Sequence, residues 1–217
     1  GWRFVEYIEF SDGTVWGPED IGVRANVLHG TDGDDIMTGM ARMEGYNENE
    51  TFYAGAGNDR IVGNDGDDII YAGDGDDIVF GGYSRTDIDE RGVGNDYLDG
   101  GAGNDELHGT YGNNTFIGGT GDDYMEAGRG DDTYIFNLGD GHDRIIDRYA
   151  NDKESKHDKI VFGEGITPKD VKLEKIEKDL VIRYGVDDTI TVEGAYAEYG
   201  WRFVEYIEFS DGTVWGP

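Results

Sequence analysis

Residues 54–80 read AGAGNDRIV, GNDGDDIIY, AGDGDDIVF: three runs of nine, each with glycine fourth, aspartate sixth and an aliphatic residue eighth. The phase holds upstream in GTDGDDIMT (30–38). It resumes downstream in RGVGNDYLD (91–99), GGAGNDELH (100–108), GTYGNNTFI (109–117), GGTGDDYME (118–126) and AGRGDDTYI (127–135). LGDGHDRII (138–146) follows after two extra residues. A period this short is the mark of a solenoid. Glycine at positions 1, 2 and 4 lets the backbone turn through positive φ and approach an ion closely. Position 6 supplies a carboxylate. Positions 7–9 leave room for a very short strand, in which position 8 alone points inward. Position 8 is Met37, Ile61, Ile70, Val79, Leu98, Leu107, Phe116, Met125, Tyr134 and Ile145, apolar or aromatic throughout.

The spacing predicts an all-β fold: a flattened parallel roll, one loop and one strand per nonapeptide, two nonapeptides per turn. Loops then stack at i and i+18 on each edge. Asp59 faces Asp77 and Asp105 faces Asp123; past a one-residue slip at Glu90, Asp77 faces Asp96. Two glycine loops, each giving an aspartate and backbone carbonyls, offer the six to eight oxygens that a hard divalent cation takes in tolerant geometry.

The repeat resembles the calcium-binding nonapeptide of the RTX (repeats-in-toxin) family, G-G-x-G-x-D-x-U-x, and the resemblance covers most of the chain. It implies a β-roll with Ca²⁺ between successive loops, roughly six to nine ions at the density of this repeat. The metal-binding residues it implies are Asp35; Gly55, Gly57 and Asp59; Gly66 and Asp68; Gly73, Gly75 and Asp77; Gly94 and Asp96; Gly101, Gly103 and Asp105; Gly112 and Asn114; Gly119, Gly121 and Asp123; Gly128, Gly130 and Asp132; Gly141 and Asp143; and beyond them Asp147 and Asp158. Asn114 is neutral where the family has aspartate, so its sites are expected to be weaker. Residues 81–89 put Thr86 at position 6, which predicts a vacancy or a bulge on one edge. Residues 45–53 form a degenerate turn with Glu50 at position 6 and Phe52 at position 8, after a six-residue insertion, 39–44, that carries Met40 and Met43.

The composition agrees. The chain has 217 residues, 48 acidic against 18 basic, for a net charge of −30. That excess argues against nucleic acid, whose phosphates demand Lys and Arg, and against an anionic membrane surface. No apolar run approaches the ~18 residues of a membrane-spanning helix. With no cysteine there is no disulfide and no thiolate chemistry. Glycine and charge this abundant can mark disorder, but 36% of residues are hydrophobic, and they keep phase. Without cations the carboxylates repel and the apolar positions are too few to order a glycine-rich chain, so the ion-free chain is expected to be largely unfolded and ion binding to drive folding.

Beyond 146, strand patterns appear in KIVF (159–162), VKLEKIE (171–177), DLVIRYG (179–185) and TITVEG (189–194). VEYIEFSDGTVW brackets Asp211-Gly212, a hairpin signal. Pro168 suits the first turn of a short helix. These strands, with Trp201, Phe203, Ile207, Phe209, Val214 and Trp215, are expected to cap the open end of the roll; the segment resembles the cap-like region that follows rolls in many secreted RTX proteins. A longer repeat overlies this plan: GWRFVEYIEFSDGTVWGP occupies both 1–18 and 200–217. The organisation is read as a tail hairpin of a preceding unit (1–20), a roll (21–146) and a β-rich cap (147–217), one unit of a tandem array. The N-terminal copy, with Trp2, Phe4, Ile8, Phe10 and Trp16, is read as a junction to neighbouring units or a self-association element.

The leading functional reading is a non-catalytic calcium-folded module of a large extracellular or cell-surface protein, adhesin-like, acting as spacer and secretion aid. The family's export through type I secretion supplies the last point. The alternative is a polysaccharide-binding roll attached to a secreted enzyme, using Lys153, Lys156, Lys159, Lys169, Lys172, Lys175 and Lys178. Neither G-x-S-x-G nor H-E-x-x-H occurs, and His29, His108, His142 and His157 do not cluster in sequence. No proline follows an aspartate, so an Asp-Pro self-cleavage site is absent.

Overall fold

A computed structural model describes residues 8–9, 15–16, 26–39, 49–82, 94–146, 157–197 and 204–216. The strands that build the roll are β3 (Val27–His29), β4 (Ile36–Thr38), β5 (Thr51–Ala56), β6 (Arg60–Val62), β7 (Ile69–Asp74), β8 (Ile78–Phe80), β9 (Tyr97–Ala102), β10 (Glu106–Tyr111), β11 (Thr115–Thr120), β12 (Tyr124–Arg129), β13 (Thr133–Phe136) and β14 (His142–Ile146). Before them lies the pair β1 (Ile8–Glu9) and β2 (Val15–Trp16). After them come β15 (Lys159–Phe162), β16 (Lys172–Ile176), β17 (Asp179–Tyr184), β18 (Asp188–Val192), β19 (Tyr206–Glu208) and β20 (Val214–Trp215).

Odd and even roll strands separate into two nine-stranded sheets. One runs β20-β19-β15-β13-β11-β9-β7-β5-β3, the other β16-β17-β18-β14-β12-β10-β8-β6-β4. Within the roll all neighbours are parallel, the register stepping by two nonapeptides, as in Phe116↔Tyr134 and Leu107↔Met125. This is the all-β parallel roll that the nine-residue period predicts. Every named position-8 residue is buried, and Phe52 joins them. The cap strands continue both ladders: β15 and β19 carry Ile160 and Ile207 into the core row, and β18 lies parallel on β14. Pro168–Asp170 forms a 3-10 turn, its Asp170 carboxylate accepting from the Thr167 N–H and hydroxyl. The hairpin turn is made at Asp211-Gly212, Gly212 having φ +85.

Three expectations need correction. The strands reach six residues, because the first loop residues stay in the ladder: Gly55 pairs with Gly73 and Gly73 with Gly101. Position 8 is not the lone inward residue, since position 1 also points in and is filled by Ala54, Ala72 and Ala127. Where position 1 is glycine, as at Gly63 and Gly100, an added Cβ would meet the loop aspartate's Oδ2 at 2.3 Å and the carbonyl of the next rung. Finally, where the spacing counts 81–89 as a half-turn, no described strand stands between β7 and β9 or between β8 and β10, although Gly81 itself stays in the ladder, its N–H donating to the His108 carbonyl at 2.8 Å. β7 pairs directly with β9 and β8 directly with β10. Among the described strands the ladder is therefore continuous, with no vacant rung; 83–93 lie outside the described residues. Thr86, Glu90, Met40, Met43, Lys153, Lys156, Trp201 and Phe203 lie outside the described residues.

Outside, position 9 carries a row of rings. His29, Tyr53 and Tyr71 stack at 5.2 Å, and Phe80 stacks on His108 at 4.5 Å. The rings spend their faces on one another across the ladder.

Candidate metal centre

Each position-6 residue sits where its loop enters a strand, so the register fixes one carboxylate per loop and one column per edge. The first column is Asp35, Asp59, Asp77, Asp105, Asp123 and Asp143. Each carboxylate after the first accepts the backbone N–H of its predecessor through Oδ1: Asp35 to Asp59 at 2.8 Å, Asp59 to Asp77 at 2.7 Å, Asp77 to Asp105 and Asp105 to Asp123 at 2.8 Å, and Asp123 to Asp143 at 3.1 Å. The second column is Glu50, Asp68, Asp96, Asn114, Asp132 and Asp158. The same bond links them at 2.7–3.0 Å. Asp59 with Asp77 and Asp105 with Asp123 meet as the spacing requires. Asp77 does not meet Asp96: it meets Asp105, 28 residues on, and Asp96 serves Asp68 in the other column. The described strands on either side of 83–93 pair directly, so the edges are not set by a single-residue slip.

The second carboxylate oxygen decides what the columns are for. Oδ2 of Asp59, Asp68, Asp77, Asp96, Asp105, Asp123 and Asp143 is buried with no hydrogen-bond partner. A buried anionic oxygen left so is costly. Burial accordingly pushes the carboxyls upward, only partly offset by the N–H they accept: Asp77 and Asp123 up to about 6, Asp96, Asp105 and Asp132 up to about 7, Asp68 and Asp143 up to about 8. Asn114 shows the geometry with a donor in place. Its Oδ1 accepts the Asp96 N–H, and its Nδ2 donates to the Gly112 carbonyl at 3.0 Å. Replacing that NH₂ by an oxygen sets an anion against a carbonyl. Only a proton or a cation reconciles them.

The loop glycines keep the cradle narrow. A Cβ on Gly63 would stand 2.3 Å from Asp68 Oδ2 and 2.3 Å from the Gly81 carbonyl. Gly101, at φ +101, would put one 2.2 Å from the Gly73 carbonyl, and the glycines of the predicted set line these same edges. Among the described residues no three His, Cys, Asp or Glu side chains converge. A cation held here would draw on the orphaned position-6 carboxylates and on the backbone carbonyls of the glycine loops. That all-oxygen set, with orphaned carboxylate oxygens and a backbone cradle, fits Ca²⁺.

The predicted residues are not equivalent. Asp35 is half-buried, and its Oδ2 is already satisfied by the Thr31 N–H at 2.6 Å and hydroxyl at 2.9 Å. Asp147 lies outside the described residues. Asp158 joins its column, its N–H donating to the Glu205 carboxylate at 3.1 Å. Glu205 was not foreseen, since no glycine frame surrounds it. Nor was the outer row at position 5. There Asn58 N–H donates to Asp34, Asp76 to Asn58, Asn104 to Asp76 and Asp122 to Asn104 at 2.8–3.1 Å. Its signal was present, because position 5 is Asn, Asp or His in every copy. At the last loop Asp140 and Asp188, both buried, accept the N–H groups of Asn137 and Gly139.

Comparison with known proteins agrees with this geometry. The model of the RTX calcium-binding nonapeptide repeat matches residues 22–41, 44–82, 92–110, 99–134 and 108–145, together just over half of the chain. The chain belongs to the RTX calcium-binding repeat family. Residues 179–217 match a second model, the haemolysin-type calcium binding protein related domain, so the cap as well as the roll has kin. No curated protein matches this RTX chain. Among solved structures, the extracellular lipase LipA from Serratia marcescens aligns at 20% identity with a TM-score of 0.41, over 77% of this chain and 38% of the lipase. That likeness is too low to bear on fold or function. Among the described residues no helix is long and apolar enough to cross a membrane.

Proposed function

We infer that this RTX chain is a calcium-driven folding module of a larger extracellular or surface protein, a roll over 21–146 closed by a cap over 147–217. It serves as a spacer and helps the chain leave the cell unfolded. The observation that carries this is the set of seven buried, partnerless Oδ2 atoms, set against the one rung, Asn114, that supplies its own donor. With ions the columns are neutralised and the roll closes; without them buried carboxylates oppose folding. The N-terminal copy of the hairpin gives a tandem array its junctions.

The polysaccharide reading has weaker support. Lys159 is paired with Glu208 at 3.2 Å and Lys175 lies 4.6 Å over the Tyr196 ring. β16 interleaves Lys172 and Lys175 with Glu174, so among the described residues no continuous basic track forms.

Circular dichroism and size-exclusion chromatography test the folding reading. The chain in EGTA is expected to be expanded and coil-like. It turns compact and β-rich as Ca²⁺ is added, with Mg²⁺ at equal concentration failing because it dehydrates reluctantly and demands strict octahedral geometry. Native mass spectrometry then counts the ions, expected at roughly six to nine. A compact β-rich chain in EGTA refutes this function.

A further inference from the structure

The chain carries two copies of one capping element and, among its described strands, one place where that element is seated. Residues 1–18 and 200–217 are identical. The described strands of both pair antiparallel in the same register: Ile8↔Trp16 and Glu9↔Val15 in one, Ile207↔Trp215 and Glu208↔Val214 in the other. The C-terminal copy closes a nine-stranded sheet. Its β19 lies parallel on β15, with Ile160 against Ile207. Glu205 takes the Asp158 N–H, Glu208 pairs with Lys159 at 3.2 Å, and Phe209 packs on Phe162 at 5.5 Å and Trp215 at 4.7 Å. The N-terminal pair β1–β2 is a two-stranded sheet of its own, joined to no other described strand.

We propose that segment 1–18 is a second plug for the roll's C-terminal edge, and that its socket is β15 of a second copy of this chain. Every group that seats 204–216 recurs 199 residues earlier, so Glu6, Ile8, Glu9, Phe10 and Trp16 can replace Glu205, Ile207, Glu208, Phe209 and Trp215 without loss of a contact. Exchange between the two is a strand swap at equal contact energy. The tethered copy wins in dilute solution through its effective concentration. The N-terminal copy takes over where rolls are crowded or where the tethered plug is disabled. Rolls then join end to end, each new plug leading into the next roll. The contact is head-to-tail and does not close on itself.

The test uses the full chain in saturating Ca²⁺ at about 0.1 mM protein, below the millimolar effective concentration of a short tether. Light scattering on the eluting protein reads its mass. The parent chain is expected at its monomer mass of 24.0 kDa. Ile207→Asp buries a charge in the tethered plug and unseats it; copy 1–18 of another molecule then fills β15, and the mass at least doubles. The double variant Ile8→Asp/Ile207→Asp has no competent plug and returns to the monomer mass. A monomeric Ile207→Asp, or a double variant that associates as Ile207→Asp does, overturns the proposal. Circular dichroism in Ca²⁺ is expected to be roll-like in all three, which separates failure of the plug from failure of calcium-driven folding.

Discussion

Replacing Asp105 by asparagine should stabilise the ion-free roll while weakening its calcium binding. Asp105 Oδ1 accepts the Asp77 N–H, a role asparagine keeps, as Asn114 does for Asp96. Its Oδ2 is buried with no hydrogen-bond partner, and burial pushes the carboxyl up from 3.8 to about 7. The sign follows from linkage. The unfolded chain loses this proton near pH 4 and the ion-free folded chain holds it to about 7, so the group's contribution is intact below pH ~4 and is lost as pH rises to ~7. Three pKa units correspond to about 4 kcal/mol against folding at pH 7.5, a large share of ordinary native stability of about 5–15 kcal/mol. The uncharged amide of the variant would escape that opposition. The assay is far-UV circular dichroism in EGTA with trimethylamine N-oxide titrated in to drive folding. Asp105→Asn should fold at lower osmolyte than the parent at pH 7.5 and with little difference at pH 4. In a calcium titration at pH 7.5 the same variant should need more Ca²⁺. The control is Asp76→Asn, which removes the same charge from an exposed loop position and should shift folding by a few tenths of a kcal/mol. Equal effects of the two would place the opposition in net charge and refute the argument from buried carboxylates.

Other expectations follow from the same ladder. Lowering the pH from 7.5 to 5.5 should weaken Ca²⁺ binding, because protons compete for carboxyls raised to about 6–8; isothermal calorimetry at the two pH values reads this, and pH-independent affinity contradicts it. Thr110 holds φ +73 at a position where most copies have glycine, so Thr110→Gly should raise the melting temperature in Ca²⁺ by relieving about 1 kcal/mol of strain. Gly101→Ala would drive a Cβ to 2.2 Å from the Gly73 carbonyl at φ +101; a loss above about 3 kcal/mol is expected, seen as a higher calcium midpoint. Leu107→Ala opens a cavity in the fully buried row, costs about 2–5 kcal/mol, and should move the calcium midpoint in the same direction without changing the number of ions bound.

Period and phase made the core legible. Position 8 is apolar because it lies in the buried row, and the nine-residue rhythm marks it in every copy. Glu50 and Phe52 could be placed in a degenerate turn because both keep their positions after a six-residue insertion, and the structure seats them beside Asp68 and Ile70. The edge assignment beyond Phe80 was not legible. A segment of nine residues with glycine at its start looks like one more half-turn, and counting it moves each later aspartate to the opposite edge. What rules it out is pairing: β7 hydrogen-bonds directly to β9, and no local residue announces that. Glu205 was hidden for a different reason. Its loop has none of the glycines that mark the repeat, and only the parallel seat of β19 on β15 puts it in the column.

The cap ends the two columns in opposite ways. On one edge Lys159 pairs with Tyr206, so Glu205 stands one rung beyond Asp158 and accepts its N–H, extending the carboxylate column by one member. On the other, Asp143 pairs with Ile190, a fully buried side chain, and the column stops. An apolar rung offers no oxygen to an ion, so it ends ion binding while it continues the core. An acidic rung keeps the edge open to the chemistry of the repeat. The hairpin that bears Glu205 is the element that recurs at residues 1–18, whereas the β16–β18 sheet that bears Ile190 has no second copy. The duplicated element is therefore the one whose rung resembles the roll: it pairs as a strand and presents a carboxylate, the two features that the proposed joint between rolls would use.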